Sequence, residues 1–375
     1  MRICFVTTGD IVSIATLKRA TGMATPLIRS GHEVAIIAMD CENNRERIRL
    51  ECPDITPLYF PSGNFISEIF HKKRLIKSWN PDLVYVCAFV VRNFIHKKNM
   101  RMKHSCYIVE HSELGSAIRE NKWHKKILAW ILEWSAIFLF DGQVTASRYL
   151  ETLFKQKNRK FRRKQPILYS PYAYNKDILL PDPVLSATLK NKYGSKKIIL
   201  YMGSLSLNYG FLDILKAADI LQKKRDDFIV LIIGNGKHKD IGKQYVKEHQ
   251  LYEYIYFLNY VPEEELPSYF NIADIFISPI NDTIQDKARC PSKLFMYLPF
   301  KKPIVTCSIG EAYELFGENG YYYEWSDTNM LAEIIDMAID NSNNLKYFIE
   351  IDNHTWEYRT NEFLIWTQTH LIEKL

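Results

Sequence analysis

The sequence has no run of about 18 consecutive apolar residues, so no segment is expected to span a membrane. It has no Cys-x-x-Cys pair, and its seven cysteines (Cys4, Cys41, Cys52, Cys87, Cys106, Cys290, Cys307) are scattered and odd in number. That pattern excludes a disulfide framework and a cysteine-based zinc site, and it predicts a reducing, cytoplasmic setting. Met1 to Val6 runs straight into a strand-like stretch with no charged, apolar and small-residue segments in series, so no export signal is expected. Low-complexity tracts are missing too: Gly and Pro number 15 each among 375 residues, which excludes collagen-like and disordered classes. What is left is a folded chain long enough for two or three domains at roughly 150 residues each.

Charge is present but uneven. Through Asn175 there are 28 Lys and Arg against 15 Asp and Glu, and after it 21 against 28, within a net charge of +6. A basic half attracts anions and anionic lipid headgroups. Two segments concentrate this character. Lys122-Trp123-His124-Lys125-Lys126 leads into the apolar run Ile127 to Phe140, and basic helices with tryptophan suit a membrane interface. The Ile137 to Phe140 end reads instead as buried helix. Residues 155–164 carry Lys155, Lys157, Arg159, Lys160, Arg162, Arg163 and Lys164, all expected to be exposed. Peripheral contact with an anionic membrane is the expectation. Nucleic acid is not, because no recognised nucleic-acid-binding motif accompanies the charge.

Short β-branched or aromatic runs alternate with helical patterns throughout, as βαβ units require. Strands are expected at Ile3–Thr7, Glu33–Ala38, Leu83–Cys87, Ser105–Val109, Gly142–Thr145 and Ile167–Tyr169. The pattern restarts at Ile198–Met202, Phe228–Ile233, Tyr254–Leu258, Ile275–Ser278, Ile304–Cys307 and Tyr321–Glu324. The fold class is therefore α/β with two doubly wound parallel sheets, joined between Ser170 and Lys196 where Pro171, Pro181 and Pro183 interrupt regular structure. Such sheets bind ligands beyond the carboxyl ends of their strands, so two of them face to face would form a cleft.

Gly9 follows the first strand, where a glycine lets backbone amides approach a ligand; the single glycine before Gly22 lacks the Gly-x-Gly-x-x-Gly of nicotinamide or flavin enzymes. His111 ends a strand within Glu110-His111-Ser112-Glu113. An imidazole there can bond a sugar hydroxyl or stabilise a cationic centre, with Glu110 or Glu113 setting its tautomer. Its other reading is a histidine on a wet loop. The run Glu263-Glu264-Glu265 reads as a solvated helix start, since consecutive side chains cannot converge on one cation.

The second half contains Tyr201-Met202-Gly203-Ser204-Leu205, Ile233-Gly234-Asn235-Gly236 and Val261-Pro262-Glu263-Glu264-Glu265-Leu266 in order. Arg289-Cys290-Pro291-Ser292-Lys293-Leu294-Phe295-Met296-Tyr297, Lys302-Pro303-Ile304-Val305 and Ser308-Ile309-Gly310-Glu311 follow. Over about residues 197–325 this series resembles the donor half of GT-B glycosyltransferases, in particular family four (group 1). The resemblance implies two Rossmann-like domains: an acceptor domain over 1–172, with a terminal helix within 353–375 packing back on it, and a nucleotide-sugar domain over 173–352. It implies transfer of a hexose-type sugar from a nucleoside diphosphate sugar to a saccharide or lipid-linked saccharide, in glycan or polysaccharide synthesis at the inner membrane face. Retention of anomeric configuration is implied, with an inverting route using Glu110, Glu113 or His111 as base left open. No cofactor is implied beyond the donor substrate.

The resemblance and the residue types together lead to an expected donor site of Gly9, Gly203, Ser204, Tyr209, Gly234, Asn235, Gly236, Val261, Arg289, Pro291, Ser292, Lys293, Leu294 and Glu311. Ser292 is expected to cap a short helix whose first N–H groups hold a diphosphate, with Lys293 adding charge. No Asp-x-Asp occurs, so the metal motif of the other large glycosyltransferase fold is missing and a metal-free reaction is expected. Ser204 and Tyr209 stand where the family has two cations, Met296 where it has the ribose-binding glutamate, and Pro171-Tyr172-Ala173 where it has Pro-Asn-Gly. Phosphate charge is therefore expected to meet Arg289, Lys293 or the basic first half. The alternative is a GT-B protein of impaired catalysis that binds nucleotide sugar or serves as a scaffold.

Overall fold

A computed structural model describes residues 1–12, 16–342 and 345–371. Contacts divide the chain into two units: Met1–Ala173 with Lys287–Cys290 and the stretch from Asp352, and Tyr174–Asp286 with Pro291–Ile351. Residues 287–290, read from sequence as part of the second domain, belong to the first unit. Ser147 Oγ donates to Ala288 O at 2.8 Å, and Ala288 packs among Leu114, Ile137, Leu150 and Phe154.

The first unit is a seven-stranded parallel sheet of β1 (Arg2–Val6), β2 (Glu33–Met39), β3 (Thr56–Phe60), β4 (Leu83–Val86), β5 (Cys106–His111), β6 (Gly142–Thr145) and β7 (Ile167–Tyr169), in the order β3-β2-β1-β4-β5-β6-β7. Its central strands are apolar without alternation because helices cover both faces; Ile3 to Val6 and Leu83 to Val86 are all fully buried. The helices Phe65–Trp79 and Trp123–Leu139 share one core with that sheet, through Ile76, Trp79, Leu132 and Ala136 against Val6, Val84 and Val109. The terminal helix Trp356–Leu371 packs on the helix Thr16–Arg29; Trp356 fills the space a side chain at Gly22 would need, and Phe363 meets the Tyr85 ring at 5.8 Å. Residues 372–375 of the expected terminal helix lie outside the described residues.

Strand β3 was not expected from the sequence. Among the described residues it pairs only with β2, and its Thr56 and Pro57 are exposed, as proline requires of an edge strand.

The second unit has six parallel strands, β8 (Lys197–Met202), β9 (Phe228–Ile233), β10 (Ile255–Asn259), β11 (Ile275–Ser278), β12 (Ile304–Thr306) and β13 (Tyr321–Tyr322), in the order β10-β9-β8-β11-β12-β13. Both sheets thus reverse strand order beside their first strand, where doubly wound folds bind ligands. Glu263 to Glu265 form the turn before the helix Leu266–Ile272. All seven cysteines are free. No helix among the described residues is long and apolar enough to cross a membrane.

Candidate functional site

In the second unit the loops after β8 and β9 are bonded into one piece. Gly203 N donates to Ile233 O at 2.9 Å, Leu205 N to Asn235 O at 3.0 Å, and His238 N back to Leu205 O at 3.0 Å. Leu207 N donates to His238 Nδ1, and Tyr201 Oη to Ser204 O at 2.9 Å. This contact needs glycine. A Cβ on Gly234, whose φ is 136°, would overlap Gly203 O, and one on Gly236 would lie 2.6 Å from Leu205 N and O.

Lys293 reaches the same place. Its ammonium lies 4.6 Å over the Tyr201 ring, and a Cβ added to Gly203 would stand 2.8 Å from Nζ. An ammonium against a stretch of side-chain-free backbone is an arrangement that receives phosphate oxygens. Beneath it, Met202 N donates to Tyr297 Oη at 3.2 Å, and the Tyr297 ring stacks on Phe276 at 4.1 Å, which fixes the helix Ser292–Tyr297 to the sheet.

The structure brings Gly203, Ser204, Gly234, Asn235, Gly236 and Lys293 together. Other expectations need correction. Ser292 does not cap the helix: it is the first helical residue, Pro291 holds the cap position, and no side-chain cap bond forms. Leu294 is fully buried and Val261 5% exposed, so both serve the core. Glu311 is buried in the first turn of the helix Glu311–Phe316. Tyr209 lies in a single 3-10 turn after β8. Gly9 and Arg289 belong to the first unit; Gly9 O accepts from Asn44 Nδ2 at 3.0 Å, and Arg289 is the cation acting on Glu113.

In the first unit, His111 ends β5 and is buried, not a wet loop residue. Its ring stacks on Phe154 at 4.0 Å, and Nε2 is buried without a hydrogen-bond partner. Burial, followed by the Lys157 ammonium, pushes its pKa down to about 3 against the favourable effect of Gln143, so the imidazole is neutral.

Glu110 does not flank His111. Neighbours on a strand face opposite ways, and Glu110 instead accepts from Arg19 Nε at 3.1 Å and Tyr85 Oη at 3.2 Å. Arg19 also donates to Ser170 Oγ at 3.1 Å, Ser170 O at 2.7 Å and Pro171 O at 3.3 Å, with its guanidinium over the Tyr172 and Trp356 rings. Burial raises the Glu110 carboxyl while Arg19 and Tyr85 pull it down. The group is committed to holding strand ends. Glu113 is exposed beyond the strand.

Sequence reasoning missed Arg19, Tyr85, Tyr201 and Tyr297. Arg19 left a readable signal, a cation on the apolar face made by Leu17, Ala20, Met23, Ala24 and Leu27. Among the basic residues 155–164, Lys157 is buried rather than exposed, its ammonium 4.9 Å over Trp134 and 4.3 Å over Phe154.

Residues 188–354 match the family model for Glycosyl transferases group 1. The chain is 24% identical to GDP-mannose-dependent alpha-(1-6)-phosphatidylinositol monomannoside mannosyltransferase of Mycolicibacterium smegmatis over 141 residues, 37% of this chain and 36% of the relative. It is 23% identical to an uncharacterized glycosyltransferase of Haemophilus influenzae over 338 residues, 87% of each protein. Among solved structures it is similar to a glycosyltransferase from Rickettsia africae, with a TM-score of 0.72 and 16% identity over 98% of both chains. It is also similar to HepE of Anabaena in complex with UDP-glucose, with a TM-score of 0.70 and 15% identity over 99% of this chain and 95% of that one. Both sheets share the fold of these solved structures, and residues 188–354 match the model of the group 1 glycosyl transferases.

Proposed function

We propose that the protein transfers a sugar from a nucleoside diphosphate sugar to a saccharide or lipid-linked saccharide, in glycan or polysaccharide synthesis. In this reading the second unit takes the donor and the first takes the acceptor. The observation that carries it is the Gly203–Gly234 backbone crossing with the Lys293 ammonium beside it, which suits a diphosphate without a metal ion. Relatives lend support: the Anabaena protein was crystallised with UDP-glucose, and the mycobacterial relative is a GDP-mannose-dependent mannosyltransferase.

The retaining route is the reading favoured here because two of the three candidate bases are poorly placed to take a proton. His111, with a pKa of about 3, is a poor base at neutral pH, and Glu110 is bound to Arg19 and Tyr85. The acceptor proton then passes to the oxygen of the donor's leaving phosphate as the bond from that oxygen to the anomeric carbon breaks. His111 keeps the role its position suggests, stabilising the developing cationic centre of the sugar, and as a neutral ring it adds no charge of its own there. The work is done in the cytoplasm at the inner membrane face, the basic first half contacting anionic lipid.

The test is thermal stabilisation by UDP-glucose, GDP-mannose and other nucleotide sugars, each with a chelator present, followed by identification of the product anomer. One donor should raise the melting temperature and give a retained product. With the same donor, Glu113→Gln should keep its turnover and His111→Ala should lose it while still binding nucleotide. An inverted product, or loss of turnover in Glu113→Gln, overturns the retaining route.

A further inference from the structure

The helix Trp123–Leu139 buries only one side, through Leu132, Glu133, Ala136 and Ile137. Its opposite side presents large apolar groups to solvent: Trp123 is 74% exposed, and Ile127, Trp130 and Ile131 about half. The Trp130 ring lies 5.5 Å from Trp134, and Trp134 5.4 Å from Phe161, so the indoles continue as one ridge onto the turn that ends the helix Arg148–Lys160. Isolated exposed apolar residues are ordinary, but a continuous patch marks an interaction surface.

Charge names the partner. Lys122 and Lys125 stand exposed at one end of the ridge, and Arg159, Lys160, Arg162, Arg163 and Lys164 at the other. Lys160 lies 5.2 Å over the Trp134 ring, and Arg163 5.5 Å over Phe138. Indoles within a rim of cations match the headgroup layer of an anionic bilayer, where rings sit at headgroup depth and cations meet phosphates.

The helix Phe65–Trp79, on the same sheet face, leaves Phe65, Ile66 and Phe70 exposed in its first half. Each of these helices follows its strand, so its first half lies toward the strands' carboxyl ends, where such sheets bind ligands. We infer that the Trp123–Trp134 face and the basic end of residues 159–164 dock this protein on anionic lipid, the helix lying in the interface plane. This deepens the membrane contact proposed above and rests on that reading, naming its surface and lipid.

The experiment is co-sedimentation of the full chain with vesicles of phosphatidylcholine, with and without phosphatidylglycerol. Binding is expected with phosphatidylglycerol only, and is expected to weaken at high salt. Trp123→Ser with Trp130→Ser should lower vesicle affinity at least about tenfold. Arg159→Glu with Lys160→Glu and Arg163→Glu should lower it by about fivefold or more per altered charge. Both variants should melt with the parent, because the altered side chains are exposed. The inference fails if the parent ignores anionic vesicles or if either folded variant binds them as the parent does. It also fails if the parent is a dimer that the tryptophan variant splits, with no vesicle binding. Nucleotide-induced stabilisation is read separately on the parent, so a parent that shows the nucleotide shift but ignores anionic vesicles rejects the docking face alone, and a parent that binds vesicles but shows no nucleotide shift rejects the donor reading alone.

Discussion

Arg19→Met is the sharpest perturbation of the first unit. Arg19 and Glu110 have side chains 1% exposed each, and their ion pair spans 3.1 Å. Burial opposes the Arg19 charge, but Glu110 outweighs it and raises the guanidinium pKa. Methionine keeps much of the volume and leaves a buried carboxylate with Tyr85 as its remaining donor, together with the Ser170 and Pro171 carbonyls that Arg19 had bonded. Removing one partner of a buried pair costs about 3–5 kcal/mol, which for a unit of this size is a fall in melting temperature of roughly 6–20 °C. The double variant Arg19→Met/Glu110→Gln, with no buried charge, should recover at least about 1 kcal/mol of that loss.

The pH dependence of this variant has a fixed sign. Burial already raises the Glu110 carboxyl, and without Arg19 it rises further. A folded state that holds a proton more tightly than the unfolded chain loses stability as pH climbs from the unfolded pKa through the folded one. The deficit of Arg19→Met should therefore grow toward neutral pH and shrink in acid. Urea unfolding at several pH values reads both quantities. A loss under about 1 kcal/mol at pH 7, or a double variant no better than the single, would refute the buried-pair reasoning.

Further outcomes follow from the same packing. His111 and His96 are held down at about 3 and about 4 from an ordinary 6.5, burial being the largest cause for each. Each therefore costs stability as pH falls below 6.5, by roughly 1.4 kcal/mol per pH unit while only the unfolded chain binds that proton. His111→Gln should flatten the acid slope by one proton, and an unchanged slope in urea titrations would sink the assignment. Gly22→Ala drives a methyl into the Trp356 indole and should cost about 1–3 kcal/mol, seen as a lower urea midpoint; an unchanged midpoint would mean that the terminal helix does not press there.

The parallel sheets were legible because buried strands are uninterrupted apolar runs. Lys197 to Met202 and Phe228 to Ile233 announce themselves, and the glycines that follow them pointed to the candidate site. Strand β3 was hidden because an edge strand half in solvent, with Pro57 in it, carries little apolar signal. The grouping of Glu110 with His111 ignored the two-residue alternation of a strand, which sends the pair to opposite faces. Lys157 follows Leu150 and Phe154 at helical spacing, so its place among basic residues concealed a core position. Ser292 suggested a cap from its residue type, whereas cap position depends on where the helix starts, and here that is set by Pro291. Partners distant in sequence, such as Arg19 with Glu110 or Lys293 with Tyr201, are products of topology and were visible only in the fold.

The claim on which the function turns is that the β8 and β9 loops, with the Lys293 ammonium, hold a diphosphate unaided. Calorimetric titration of the parent and of Lys293→Gln with UDP and GDP, chelator present throughout, tests it most directly. One nucleotide should bind the parent, and the variant should lose about 10-fold or more in affinity, as removal of a charged hydrogen-bond donor predicts. Equal affinities in the two proteins, or binding by the parent that appears only when a divalent metal is added, would contradict it.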